Sequence, residues 1–192
     1  MTPALIKHIE TYLGRIQNGW SCNPEGISMP FQVIESCGGK VEGVVSYTSV
    51  GLSDYELKSS TTGKIIHQEL FLALAGLPSV NNIPALIQSI GNGAIHTNHP
   101  FVRGQIIGPQ AGQVIRGTRF SALYVAMPAY WPDSFSSCKL VDRTVVFAWL
   151  VPITFAEAKF VHMKGWNVFE NALTEWNLDM CDINRAELAI AD

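Results

Sequence analysis

The run Val145-Val-Phe-Ala-Trp-Leu-Val-Pro-Ile-Thr154 constrains the fold more than any other stretch of the chain. On an extended strand, Val145, Phe147, Trp149 and Val151 share one face while Val146, Ala148 and Leu150 share the other, and both sets are apolar. A strand apolar on both faces belongs inside a sheet that is covered on both sides. Pro152 predicts its end, because proline cannot donate to the ladder. Thr154-Phe-Ala-Glu157 then forms a capping-box sequence, so a helix is expected from Phe155. Gly165 closes that helix, and Trp166, Phe169, Leu173 and Trp176 recur at helical spacing on a second one. The C-terminal part thus reads as a helix pair resting on a sheet.

Upstream, Thr2-Pro3 is a helix start, and Leu5, Ile9, Tyr12 or Leu13, and Ile16 continue an apolar stripe until Asn18-Gly19. Phe31-Gln-Val-Ile34 and Val41 to Thr48, separated by Gly38-Gly39, read as a β-hairpin. Lys64 to Leu74 is apolar with a β-branched start and a Leu- and Ala-rich end, a pattern that suits strand or helix. Asn81-Asn82 after Pro78 can cap a helix through Ile90, with Gly91-Asn-Gly93 as its stop. Phe120 to Met127 reads as a further strand, and Gly108 to Gly117 as a mobile loop. No repeat, low-complexity tract or linker divides residues 1–192, so a single domain is expected.

Charge is sparse and unevenly placed. Only 15% of residues are charged, and from Leu70 to Val102 there are no Asp, Glu, Lys or Arg. Such a segment is either a central strand with a packed helix or, in part, an exposed apolar docking face. A net charge of −3 argues against general nucleic-acid binding, which needs concentrated Lys and Arg. The longest charge-free apolar runs are broken by proline and fall short of the roughly 18 residues of a membrane span. Lys7, His8 and Glu10 sit where a secretory peptide would place its apolar core, so a cytoplasmic location is expected. Cys22, Cys37, Cys138 and Cys181 form no Cys-x-x-Cys pair, which points to reduced thiols rather than a zinc ribbon or redox couple.

Val44-Val-Ser-Tyr-Thr-Ser-Val-Gly-Leu-Ser-Asp-Tyr-Glu-Leu57 is a strand-like run that breaks at Gly51 into a polar turn. It is followed in order by the Val145–Thr154 block, Glu157-Ala158, Phe160, Gly165 and Asp182-Ile-Asn-Arg185. This succession resembles the Suppressor of fused domain family in its bacterial, single-domain type. The resemblance settles Lys64 to Leu74 as a strand, with Glu69-Leu70 at its centre. It implies an α+β fold: a mixed β-sheet sandwich of about five or six strands flanked by helices, with a C-terminal helix pair. Gly51, Leu52, Ser53, Pro152, Thr154, Glu157 and Gly165 are the structural signature it assigns.

The same resemblance implies a non-catalytic protein-binding domain, most readily an immunity protein that neutralises a cognate bacterial toxin by stoichiometric binding. The alternatives are a peptide-binding regulator that sequesters a partner such as a transcription factor, and an enzyme with an unrecognised site. Candidate partner-binding residues are Asp54 and Tyr55 on the turn, Arg103 and Gln105 around Gly104, and the Tyr130-Trp131 pair beside Pro132. The chain departs from the animal domain at Gly104-Gln105, where that domain carries an acidic residue.

Local chemistry supplies no competing site. Gly51 suits a positive φ, with Ser53 or Asp54 able to hold the turn by bonding nearby amides. Tyr130-Trp131 is a costly pair to expose, so it is either packed internally or held for an interface. His96-Thr-Asn-His99 lacks a third metal ligand at sensible spacing, and Arg116-Gly-Thr-Arg119 is either a solvated loop or an anion grip. There is no Gly-x-Ser-x-Gly elbow and no phosphate-cradling glycine loop, so no cofactor, metal or catalytic residue is assigned.

Overall fold

A computed structural model describes residues 2–76, 82–109 and 112–188 of the protein. Helix α1 (Pro3–Leu13) leads into strands β1 (Gly14–Cys22), β2 (Ser28–Gly38) and β3 (Val44–Val50), followed by a 3₁₀ turn at Leu52–Asp54. Strands β4 (Leu57–Lys58) and β5 (Ile65–Ala75) precede helix α2 (Ile83–Thr97). Strands β6 (Ile106–Ile107), β7 (Ala122–Ala126), β8 (Ser137–Lys139) and β9 (Thr144–Ile153) come next, and helices α3 (Phe155–Lys164) and α4 (Trp166–Glu175) complete the described elements.

The main path of the sheet runs β1-β2-β3-β5-β9-β7-β6, with β4 beside β5 and β8 beside β9. Its two central strands, β5 and β9, are parallel. The other pairings are antiparallel. The fold is therefore α+β with a mixed sheet and a C-terminal helix pair. Nine strands lie among the described residues, more than the five or six expected, because β4, β6 and β8 are too short to show a periodicity.

Alternation along the central strands separates two cores. Val145, Phe147, Trp149 and Val151 of β9 join Phe71 and Ala73 of β5 under α1, α3 and α4. Ala148 and Leu150 join Leu70, Leu72 and Leu74 on the opposite face, under α2. The charge-poor stretch from Leu70 is thus mainly β5 and the buried side of α2. Large apolar side chains are instead exposed on α3 and α4, at Phe155, Met163, Trp166 and Val168, and at Trp176 just beyond.

Three expected boundaries shift. Helix α1 stops at Gly14, and Ile16, which continues the helical period, belongs to β1. Helix α2 runs through Gly91 and Gly93 to Thr97 and ends at Asn98 in the left-handed conformation. Gly91 is there for space, because a Cβ would stand 2.4 Å from Cζ of Phe31 on β2. Pro152 does not end β9 but lies within it, opposite Leu123. The ladder to β5 finishes earlier, at Phe71–Trp149, so the missing N–H of Pro152 costs the β5 side no bond.

Asn82 precedes α2 without making a side-chain cap bond, while Pro78 and Asn81 lie outside the described residues, as do two residues of the Gly108–Gly117 loop. The four cysteines are unpaired. Among the described residues no helix is long and apolar enough to cross a membrane.

Candidate functional site

Two buried carboxylates organise the signature residues. The first is Glu69, the acid inside the apolar run of β5, which is fully buried. Its Oε1 accepts from the Gly51 N–H (2.9 Å), the Ser53 N–H (3.1 Å) and the Ser53 hydroxyl (2.7 Å), and its Oε2 accepts from the Ser49 hydroxyl (2.5 Å). Gly51 turns with φ 103°, a conformation that a side chain resists. The turn is thus held by a strand residue from below, not by Ser53 or Asp54 bonding neighbouring amides. Burial pushes the Glu69 carboxyl up to about 7, against the pull of these four donors. Asp54 points away and pairs with Arg143.

The second carboxylate is Glu157. Thr154 and Glu157 form the expected capping box at the start of α3. The same carboxylate receives both arms of Arg185, at 2.6 and 2.7 Å, and the Leu188 N–H at 3.0 Å. Arg185 also donates to the Pro152 carbonyl (3.0 Å) and lies over the Phe120 ring. Beyond Phe71 and Trp149 the two central strands diverge, and the closing segment fills the fork. The Ala75 N–H donates to the Cys181 carbonyl (2.7 Å), and Ala75 bridges Asp182 in parallel. Pro152, Thr154, Glu157 and Arg185, far apart in sequence, therefore form one buried joint.

On the α4 side of the sheet an open cleft of about 290 Å³ lies between α4, the turn that follows it, and the ends of β7 and β9. Its walls are largely apolar, formed by Ala126, Trp149, Val151, Leu173, Leu178 and Met180. At one end Arg103 donates through Nε to Glu170 Oε1 (3.1 Å) and through a second nitrogen to Oε2. The Tyr124 hydroxyl donates to the same carboxylate at 2.7 Å. Burial alone would raise the Glu170 carboxyl, but bonds from Arg103 and Tyr124 outweigh it and hold the group below its ordinary value. Arg103 is also stacked 4.4 Å over Trp166. At the rim, the Tyr130 hydroxyl donates to the Leu178 carbonyl (3.0 Å) and accepts from the Met180 N–H (2.9 Å).

The structure brings Arg103 and Tyr130 together at this cleft. Gln105 is exposed near Arg103, and its side-chain oxygen accepts from the Val102 N–H at 3.2 Å. Trp131 lies 5% exposed in the core, edge-on to Phe71 and Trp149, so its ring is not at the surface. Asp54 and Tyr55 stand elsewhere: their turn packs through Leu52 on the α2 side, and Asp54 meets Arg143 just before β9 begins. His96 lies in the last turn of α2 and His99 follows the helix, both exposed. Glu170 and Tyr124 carry no signal in the sequence, because they meet Arg103 only through the fold. Glu69 carried a signal, being a lone acid in an apolar strand.

Residues 27–186 match the model of the family described as Suppressor of fused protein (SUFU). The chain belongs to the Suppressor of fused family. Within that family its fold is similar to a bacterial homolog from Neisseria gonorrhoeae FA 1090, with a TM-score of 0.75 at 18% identity over 98% of this chain and 97% of the other. It is similar to a chain of the Sufu-Fu complex, with a TM-score of 0.69 at 17% identity, covering 95% and 89% of the two chains. By sequence it is 21% identical over 145 residues to Immunity protein YqcF of Bacillus subtilis strain 168, covering 75% of this chain and 74% of that protein.

Proposed function

We propose that this Suppressor of fused chain is a non-catalytic binding protein that neutralises a protein partner, a cognate bacterial toxin in the cytoplasm, by covering it in a stoichiometric complex. The observation that carries the reading is the cleft beside α4: it is open and mostly apolar, rimmed by the half-exposed Tyr130 and Met127, and its ionised groups are satisfied by one another. Such a surface offers area and shape to a partner, and among the described residues its acid and base are engaged with one another rather than aimed at a substrate. The similarity to a relative named as an immunity protein, and to a family member solved in a complex with Fu, supports a role in binding protein.

In this reading Arg103, Gln105 and Tyr130 lie in or beside the contact surface, with Asp54 and Tyr55 as a separate patch. The test is co-expression with large toxins encoded beside the gene. Growth rescue together with a 1:1 complex is the expected result; failure to rescue from every neighbouring toxin would count against the reading.

A peptide-binding regulator that takes a partner's strand at a sheet edge is the second reading, favoured by β1, which among the described residues pairs on one side only. That edge carries bulges between Ile16 and Asn18 and between Trp20 and Cys22, and Glu10 accepts the Ile16 N–H at 3.4 Å. Bulges and a capped amide both discourage strand addition, which places this reading second. Binding of a synthetic linear peptide in place of a folded partner would reverse the order.

A further inference from the structure

We infer that the cleft beside α4 is a socket for one neutral, largely apolar group that carries a hydrogen-bond acceptor, such as a tyrosine side chain presented by the partner. The inference rests on the protein-binding reading above and adds the chemistry of the anchor.

Size sets the first limit. A cavity of about 290 Å³ lies at the small end of ligand sites, which suits a single large side chain better than an extended cofactor. Charge sets the second. Glu170 already accepts both Arg103 donors and the Tyr124 hydroxyl, and Arg103 is further fixed on Trp166. Arg103 and Glu170 already cancel one another's charge, so a charged occupant would meet no net opposite charge and would lose its own hydration against the apolar walls. A neutral group gains the apolar contacts of Ala126, Val151 and Leu173 at no such cost.

The third limit is a missing acceptor. Trp149 forms part of the cleft wall, is 2% exposed, and its indole N–H has no hydrogen-bond partner among the described residues. A buried donor left unpaired is costly, and a hydroxyl or carbonyl brought in by the occupant would relieve it after a small shift of the wall. Rim position strengthens the case. Met127 and Tyr130 stay 48% and 40% exposed beside apolar walls, the arrangement expected around an interface anchor.

The test uses N-acetyl-L-tyrosinamide as the probe, with N-acetyl-L-lysinamide and the α-amide of N-acetyl-L-aspartic acid, its side-chain carboxylate free, as charged controls, and follows the Trp149 indole N–H resonance by NMR. Saturable movement with the tyrosine probe is expected at roughly 1 mM or below, with at least tenfold weaker binding of both controls. Thr174→Trp and Ala129→Phe, at exposed positions on different walls, should fill the socket and abolish the shift while a thermal melt shows the fold retained. The inference is overturned if the resonance stays still up to about 10 mM probe, a loading that would occupy most sites even at a millimolar Kd. It is equally overturned if the filled variants or the charged controls respond alike. Toxin rescue that survives Thr174→Trp would sink the socket and spare the binding reading; probe binding without any rescue would do the reverse.

Discussion

Glu69 and Glu157 are both fully buried, yet they are stabilised in opposite ways. Glu157 has a cation of its own, since Arg185 grips it with two nitrogens and Thr154 and Leu188 add backbone N–H donors. Glu69 has none among the described residues: two serine hydroxyls and two backbone N–H groups face it, and burial still pushes its carboxyl up to about 7. The contrast teaches that a buried acid can brace a turn without a counter-charge, at the expense of becoming sensitive to pH. The fork joint braces through ion pairing and the turn through hydrogen bonds, within one sheet.

The strongest way to break the comparison is to remove the cation. Arg185→Ala leaves Glu157 buried and uncompensated and opens the bond to the Pro152 carbonyl, so stability should fall by about 3–5 kcal/mol in urea denaturation. Replacing Glu157 and Arg185 together with Gln and Met should cost less than the two single changes summed; strict additivity would show that the pair acts independently.

Titration comes next in size. The folded Glu69 carboxyl, at about 7, lies above its ordinary value of 4.5, so the native state holds a proton that the unfolded chain releases. Its contribution is fully present below pH 4.5 and is lost as pH rises through about 7, a decline on the order of 3 kcal/mol at about 1.4 kcal/mol per pH unit. Denaturation midpoints measured at pH 5 and pH 8 should show this decline, and Glu69→Gln should flatten it. An unchanged slope in that variant would assign the pH dependence to another group.

The smallest effects sharpen the contrast from the donor side. Thr154→Ala removes the cap hydroxyl at α3 and should cost about 1 kcal/mol at any pH between 5 and 8. Ser53→Ala removes one donor from Glu69 and should cost about 1 kcal/mol, more at pH 8 than at pH 5, because the ionised carboxylate needs that donor most. Equal losses at both pH values would place the Glu69 proton elsewhere.

Much of this architecture is legible in the residues. The double alternation of Val145 to Val151 identifies β9 and its two cores, and the Thr154–Glu157 box is realised bond for bond. What escapes is decided by neighbours distant in sequence. Gly91 and Gly93 look like a helix stop until Phe31 occupies the space over Gly91. Pro152 looks like a strand end until the sheet is seen to fork beside it. Trp131 and Tyr130 are adjacent in sequence, yet one turns into an aromatic core and the other to the cleft rim. Arg103 and Tyr130, two of the six candidates named from sequence, meet at a cleft the sequence does not reveal, and Glu170 reaches Arg103 across 67 positions and leaves no local trace.

The fork between β5 and β9 makes the closing segment a working part of the sheet. Arg185 follows Glu157 by 28 positions, so a chain truncated before Cys181 would keep the buried acid while losing both its cation and the bridge to Ala75. The last stretch of described backbone thus acts as a clasp on two strands laid down long before it.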